Sequence, residues 1–233
     1  MGLAAENTAQ KYEITREECD EYAYQSLQRF KAAFESGKIN EEIHPITLKN
    51  GKIFDTDECP RFKTRLEDLT KIPPCFKRNG VLTPANLGGF CDGAVSMLLA
   101  SEKAISKLNL RPLARIVGWA RLGCDPFVME GPILAIKELM RITQKRLSDV
   151  ELFEINEAFS STVLAVQKEL NLDPSIVNVN GGSIVIGYPF GVTGQHICLA
   201  LINEMRRRKN KLGVVGLSVG GGHGYAMLFE NCN

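Results

Sequence analysis

Residues 113–230 predict an α/β fold built on a mixed five-stranded sheet layered with helices. Five runs rich in Val, Ile, Leu and Phe, at 113–120, 150–155, 177–180, 214–218 and 225–230, read as strands. Helix-length segments lie between them at 131–140, 157–170 and 193–207, the first with Pro132 in its opening turn. Strands alternating with helices of this length indicate βαβ units and parallel neighbours. The last two runs flank Gly220-Gly-Gly222 and predict an antiparallel pair, which makes the sheet mixed.

The first half of the chain is less regular. Thr15 and Glu18 form a capping-box pattern, Gly37 stands at a C′ position, and Tyr22, Leu27, Phe30 and Phe34 share roughly one face, so 15–37 predicts a helix. Residues 42–48 are short and strand-like, and Lys49-Asn-Gly-Lys52 is a turn signal. His44 precedes Pro45 with no Cys, Asp or second His at ligand spacing, so it reads as a surface residue; no metal site is expected. From 57 to 84 the chain is polar and irregular, and Pro73-Pro74 forbid regular helix, as in a lid or binding loop. Residues 93–108 read as an apolar strand passing into a helix at 101–107.

Composition excludes several classes. With 28 Lys+Arg against 27 Asp+Glu the chain is nearly neutral, so bulk charge predicts neither nucleic-acid nor membrane-surface binding. The basic run 206–211 reads as a solvated helix end complementing the dipole. Seven cysteines without C-x-x-C spacing suit a reducing compartment, and the expected location is the cytoplasm, with mitochondrion and peroxisome left open. No window reaches eighteen apolar residues, so no membrane span is expected. The N-terminus has neither a basic n-region nor an apolar h-region, and Glu6 stands against a myristoylation motif.

Three blocks carry the chemistry. They are Asn156-Glu-Ala-Phe159, then Asn178-Val-Asn-Gly-Gly followed by Gly187-Tyr-Pro-Phe-Gly-Val-Thr-Gly194, and Gly220-Gly-Gly-His-Gly224 before a terminal strand. Their glycines let backbone approach a ligand or a facing loop; tight strand–helix packing is the alternative. In order and spacing the blocks resemble the C-terminal portion of the thiolase family, the acetyl-CoA acetyltransferases and 3-ketoacyl-CoA thiolases. The resemblance implies three units: a partial loop domain that binds coenzyme A at 1–92, a remnant of the first domain at 93–112, and the C-terminal domain at 113–233. It implies acyl transfer through a cysteine thioester, with coenzyme A or acyl-CoA as ligand, no covalent cofactor, and a homo- or hetero-oligomer.

By the same resemblance, Asn156 orients a water for an oxyanion hole and the Gly220 backbone N–H serves a second one. Asn156 as a strand-to-helix N-cap remains equally open. Ala158 and Phe159 are expected along the acyl pocket, Met129 and Phe76 near the pantetheine, Arg61 near the nucleotide, and Gly88 by the thioester arm. Leu87-Gly88 stands where family members carry Ala-Ser, placing a bulkier side chain there.

The proton-handling positions differ. Tyr188 replaces the family's histidine and Ser218 its second cysteine, and no cysteine here lies in the Cys-x-Ser-Gly context of the nucleophile. A phenol of reference pKa about 10 is a poor base near neutrality, and an aliphatic hydroxyl needs an adjacent base. The expectation is therefore an acyl-CoA C-acyltransferase homologue with lost or impaired catalysis. The alternatives are a non-catalytic CoA-thioester binder, an interaction subunit, or a truncated product of a longer gene. Gly216-Leu-Ser-Val-Gly220 also matches a nucleophile elbow, but that motif needs a following helix, acid and histidine, which the order of residues here does not offer.

Overall fold

The computed structural model describes residues 1–232. Its centre is a four-stranded mixed sheet of β3 (Ala114–Gly123), β4 (Leu152–Ile155), β5 (Leu212–Val219) and β6 (His223–Asn231), ordered β3-β6-β5-β4. β4 runs parallel to β5, while β6 is antiparallel to both β5 and β3. Side chains alternate across the sheet as a period of two demands. Val214 and Leu228 face α5 (Gly131–Thr143), whereas Val215 and Phe229 face α8 (Thr193–Arg208). A further layer forms where α6 (Ser160–Leu170) receives α1 (Gly2–Lys11) and α2 (Arg16–Glu35).

The expected capping box on α2 is present: the Thr15 side chain accepts from Glu18 N, and Glu18 accepts from Thr15 N. Helix α1 carried no sequence signal because what it buries is small or polar, Ala5, Thr8, Ala9 and Glu6, with no apolar stripe. The 42–54 region forms only a minimal hairpin of β1 (Ile46–Thr47) and β2 (Ile53–Phe54). The irregular 57–84 stretch holds one short helix, α3 (Leu66–Leu69). Residues 93–100 form no strand, since no neighbour offers them a ladder; the chain then enters α4 (Glu102–Leu108) with Ser101 as its cap.

The fifth strand, expected at 177–180, is replaced by a side chain. Val177 makes a single parallel bridge to Phe153, and Asn178 then turns into the left-handed region at φ 48°. Where the next rung would form, the Asn178 carboxamide accepts from Ile155 N at 2.7 Å and donates to Ile155 O at 2.8 Å. The side chain satisfies the edge of β4 that a strand would have covered.

Candidate functional site

Parallel strands deliver their C-terminal ends to one rim, where ligands of layered α/β sheets bind. Here the rim is made by β4 and β5. Asn156 leaves β4 with its N–H donating to Gly216 O at 2.9 Å, and Ser218 lies just beyond Gly216 on β5. Both residues are buried, and neither Asn156 Nδ2 nor Ser218 Oγ makes a hydrogen bond of ordinary geometry, Tyr188 being the neighbour of the first. Such groups cost about 1–3 kcal/mol each when left unpaired, so their persistence asks for a ligand or water. The N-cap alternative for Asn156 does not hold, because the cap of α6 is Phe159. Ser218 is followed by a tight turn and β6, not a helix, so the nucleophile-elbow reading falls as well.

The bend after Asn156 is held from beneath. Glu157 is fully buried; its carboxylate accepts from Tyr22 Oη at 2.7 Å, Ser26 Oγ at 2.8 Å, Ile184 N at 3.2 Å and Asn178 Nδ2 at 3.3 Å. Burial raises its pKa and these donors oppose the rise. The donors come from α2, from the Asn178 turn, and from α7 (Ser183–Ile186). Gly181, at φ 75°, is what lets α2 come so close, since a Cβ there would lie 2.5 Å from Ser26 O. Ser183 Oγ donates to Asn156 Oδ1 at 2.9 Å, which leaves the amide NH2 directed to the cleft.

Tyr188 faces Asn156 across this cleft. Burial pushes the phenol's pKa up, and the Asn156 carboxamide draws it back in part. Beside the turn runs the 86–90 segment, tied on both sides. Gly88 N donates to Ala158 O at 3.1 Å, and Tyr188 N donates to Gly89 O at 2.6 Å. Gly88 is buried with no room to spare: a Cβ there would meet Tyr188 Cβ at 3.0 Å. Leu87 bridges Phe159 and packs half-buried on the core. Phe76 sets its ring edge-on to Phe159 with centroids 5.9 Å apart, while Phe190 stacks edge-on to both Tyr188 and Phe90.

Ser218 and Gly220 line a second, narrow crevice with Met129, His223 and Met1. It encloses about 30 Å³, and the Met1 thioether lies close against Gly220. Met129 is buried, its N–H held by Thr8 Oγ1 at 2.7 Å. The structure thus gathers Asn156, Tyr188, Gly88, Ala158, Phe159 and Phe76 on one side of the rim, and Ser218, Gly220 and Met129 on the other. Arg61 is apart from both, in an open concavity of about 540 Å³ lined by residues 60–64 and Asp68.

Met1, Glu157 and the Tyr22–Ser26–Asn178 donors were not predicted from the sequence. Glu157 and Asn178 stood inside the recognised blocks, where an acid and an amide amid apolar residues are the signal for a buried network. The basic helix end differs from the solvated end expected: Arg207 is largely buried and, with Arg208, pairs to the buried Glu204, because that carboxylate needs cations around it. Among the described residues no His, Cys, Asp or Glu cluster could hold a metal, and no helix is long and apolar enough to cross a membrane.

Comparison with known proteins agrees with this geometry. The family profile "Thiolase, C-terminal domain" matches residues 110–231, and "Thiolase, N-terminal domain" matches 1–103. The chain is 46% identical to bovine mitochondrial 3-ketoacyl-CoA thiolase over 99% of its own length and 59% of the relative's. It is 42% identical to an acetyl-CoA acetyltransferase of Rhizobium meliloti, with 99% and 60% covered. The solved structure of human mitochondrial 3-ketoacyl-CoA thiolase superposes with a TM-score of 0.96 at 45% identity, covering 99% of this chain and 59% of that one. The same human enzyme in complex with CoA gives 0.95 at 46% identity, with 98% and 58% covered. The chain spans about three fifths of the length of the relatives it matches. In fold and in the order of its site blocks, the chain belongs to the thiolase family.

Proposed function

We propose that this chain is an acyl-CoA C-acyltransferase homologue that holds coenzyme A thioesters at the β4–β5 rim and has little or no thiolase turnover of its own. The observation that carries the reading is the pair of buried groups without a hydrogen bond of ordinary geometry, Asn156 Nδ2 and Ser218 Oγ, at one sheet end. An amide N–H donor suits a thioester carbonyl oxygen or the water that would solvate it. Tyr188 can donate a hydrogen bond there, but its raised pKa makes it no base near neutrality. Ser218 has no base within hydrogen-bond reach, so its hydroxyl stays protonated.

In this reading Phe76, Ala158 and Phe159 form the apolar wall, Met129 lies along the pantetheine, the Gly220 N–H serves the second oxyanion site, and Gly88 serves as packing for the Tyr188 turn. Arg61 would meet the ligand only at its far, anionic end. We further propose the division into 1–92, 93–112 and 113–233, and a reducing compartment for the seven free thiols. The test combines two measurements. Calorimetry with acetyl-CoA should show saturable binding, lost in Asn156→Ala, and a CoA-dependent acetoacetyl-CoA cleavage assay should show no turnover above buffer. Absent binding at millimolar ligand removes the first claim, and robust cleavage removes the second.

A second reading, as an interaction subunit, is favoured by Leu98 and Leu99, which are 87% and 73% exposed on a segment without a ladder partner. Sedimentation separates the two, because a monodisperse monomer at micromolar concentration would leave only the ligand-binding reading.

A further inference from the structure

Two cysteines from distant parts of the sequence meet behind the Tyr188 turn. A Cβ built on Gly187 would lie 2.5 Å from Cys91 Sγ and 3.4 Å from Cys59 Sγ, so both sulfurs converge on the one position where the turn lacks a side chain. Burial, and after it the neighbouring Cys59 thiol and Asp57, push the Cys91 thiol's pKa up. Cys59 is exposed on the 57–62 loop, and Cys91 is half-buried with its thiol directed to Ile186 O at 3.8 Å.

We propose that Cys59 and Cys91 form a reversible disulfide, an oxidative modification site that fastens the 57–62 loop to the 86–91 segment beside the Tyr188 turn. The inference is independent of acyl binding, since it rests on the sulfur geometry alone. The oxidant is a low-molecular-weight disulfide. The exposed Cys59 thiolate attacks one of its sulfurs, forming a mixed disulfide and expelling one thiolate. Cys91 as thiolate then attacks the Cys59 sulfur and expels the second. The two expelled thiolates take up the protons the cysteines gave up, so two protein thiols are oxidised and one disulfide is reduced to two thiols. Closure joins the loop carrying Arg61 to the segment carrying Phe90, and so ties the open concavity to the aromatic group over the cleft.

The test uses the whole chain equilibrated with oxidised glutathione, quenched with N-ethylmaleimide and mapped by non-reducing tryptic mass spectrometry. Cys59 and Cys91 fall in separate peptides, 53–61 and 79–103, each with one cysteine. The expected product is a crosslink between these two, at least tenfold over any other pairing and lost on reduction with dithiothreitol. A Cys59 that persists as a glutathione adduct, pairs with another cysteine or stays unreacted overturns the proposal. Brief native trypsin digestion reads the fastening: cleavage after Arg61 and Lys63 should slow at least threefold in the oxidised chain. Cys59→Ser should show no such change under the same oxidant. Equal cleavage before and after oxidation of the wild-type chain overturns the fastening.

Discussion

Asn178 grips Ile155 by both of its backbone groups, accepting from N–H at 2.7 Å and donating to C=O at 2.8 Å, and so ends β4 one residue before Asn156. The same amide nitrogen also reaches Tyr22 Oη and the Glu157 carboxylate. One side chain therefore finishes the sheet edge and fixes the residue that faces the cleft.

Replacing Asn178 by Ala strands a buried N–H, a buried C=O and part of the Glu157 network. At about 1–3 kcal/mol for each unpaired group, the loss should be roughly 2–5 kcal/mol. Urea denaturation should show a lower midpoint at unchanged slope. Acetyl-CoA binding should weaken as well, because Asn156 loses its fixed exit from the strand.

Glu204 is buried among Lys38, Arg207, Arg208 and Asn180, and despite the upward push of burial these partners bring its pKa down from 4.5 to about 2. For a carboxylate depressed on folding, the stabilisation is present above the unfolded pKa and fades as pH falls towards the folded one. Glu204→Gln should therefore cost on the order of 3 kcal/mol at pH 7, from about 1.4 kcal/mol per pKa unit. The gap from wild type should close between about pH 4.5 and pH 2. Chemical denaturation across that range checks both size and direction.

Glu154 behaves in the opposite sense. It is buried on β4; burial first, and the nearby Glu157, Glu42 and Glu204 charges after it, raise its pKa well above 4.5. A carboxyl raised on folding favours the folded state at low pH, and its contribution falls as pH climbs from the unfolded pKa towards the folded one. Glu154→Gln should thus gain stability relative to wild type as pH rises above about 4.5. A flat difference between pH 4 and pH 8 would contradict the assignment.

Ser218→Ala should separate stability from ligand binding. Removing a buried hydroxyl that has no partner should leave stability unchanged or raise it by up to about 1 kcal/mol. The same change should weaken acetyl-CoA binding in calorimetry if the hydroxyl faces the thioester.

Gly181→Ala puts a methyl 2.5 Å from Ser26 O and 2.8 Å from Phe30 Cβ, on backbone at φ 75°. Neither neighbour is the far end of a flexible chain, so α2 must move away. A loss of about 3 kcal/mol or more is expected, combining the conformational cost with lost helix packing. Thermal melting followed by circular dichroism measures it.

The sheet and its covering helices were legible because their signals are local. The 214–218 and 225–230 runs were placed within a few residues of β5 and β6, and the Thr15–Glu18 box marked the start of α2 correctly. Residues whose form depends on a neighbour were not. The 177–180 run has strand chemistry, yet Asn178 substitutes its side chain for a ladder, and only the fold shows which backbone it meets. Helix α1 hid for a related reason, since a surface of Ala and Thr has no apolar period and buries itself only against α6. At the site the blocks named Asn156, Tyr188 and Ser218, while the acid beneath them became meaningful only once Tyr22 and Ser26 were brought from more than a hundred residues away.

In the order β3-β6-β5-β4 the strand that follows all its neighbours in the chain lies inside the sheet, not at its rim. β3 touches the rest of the sheet only through β6. A nascent chain that has emerged only to β5 therefore leaves β3 without a place to dock, and the sheet can zip up only after residue 231 clears the ribosome. Until then the flanks of β3 and β5 that await β6 stand open, as unpaired strand edges able to take a wrong partner.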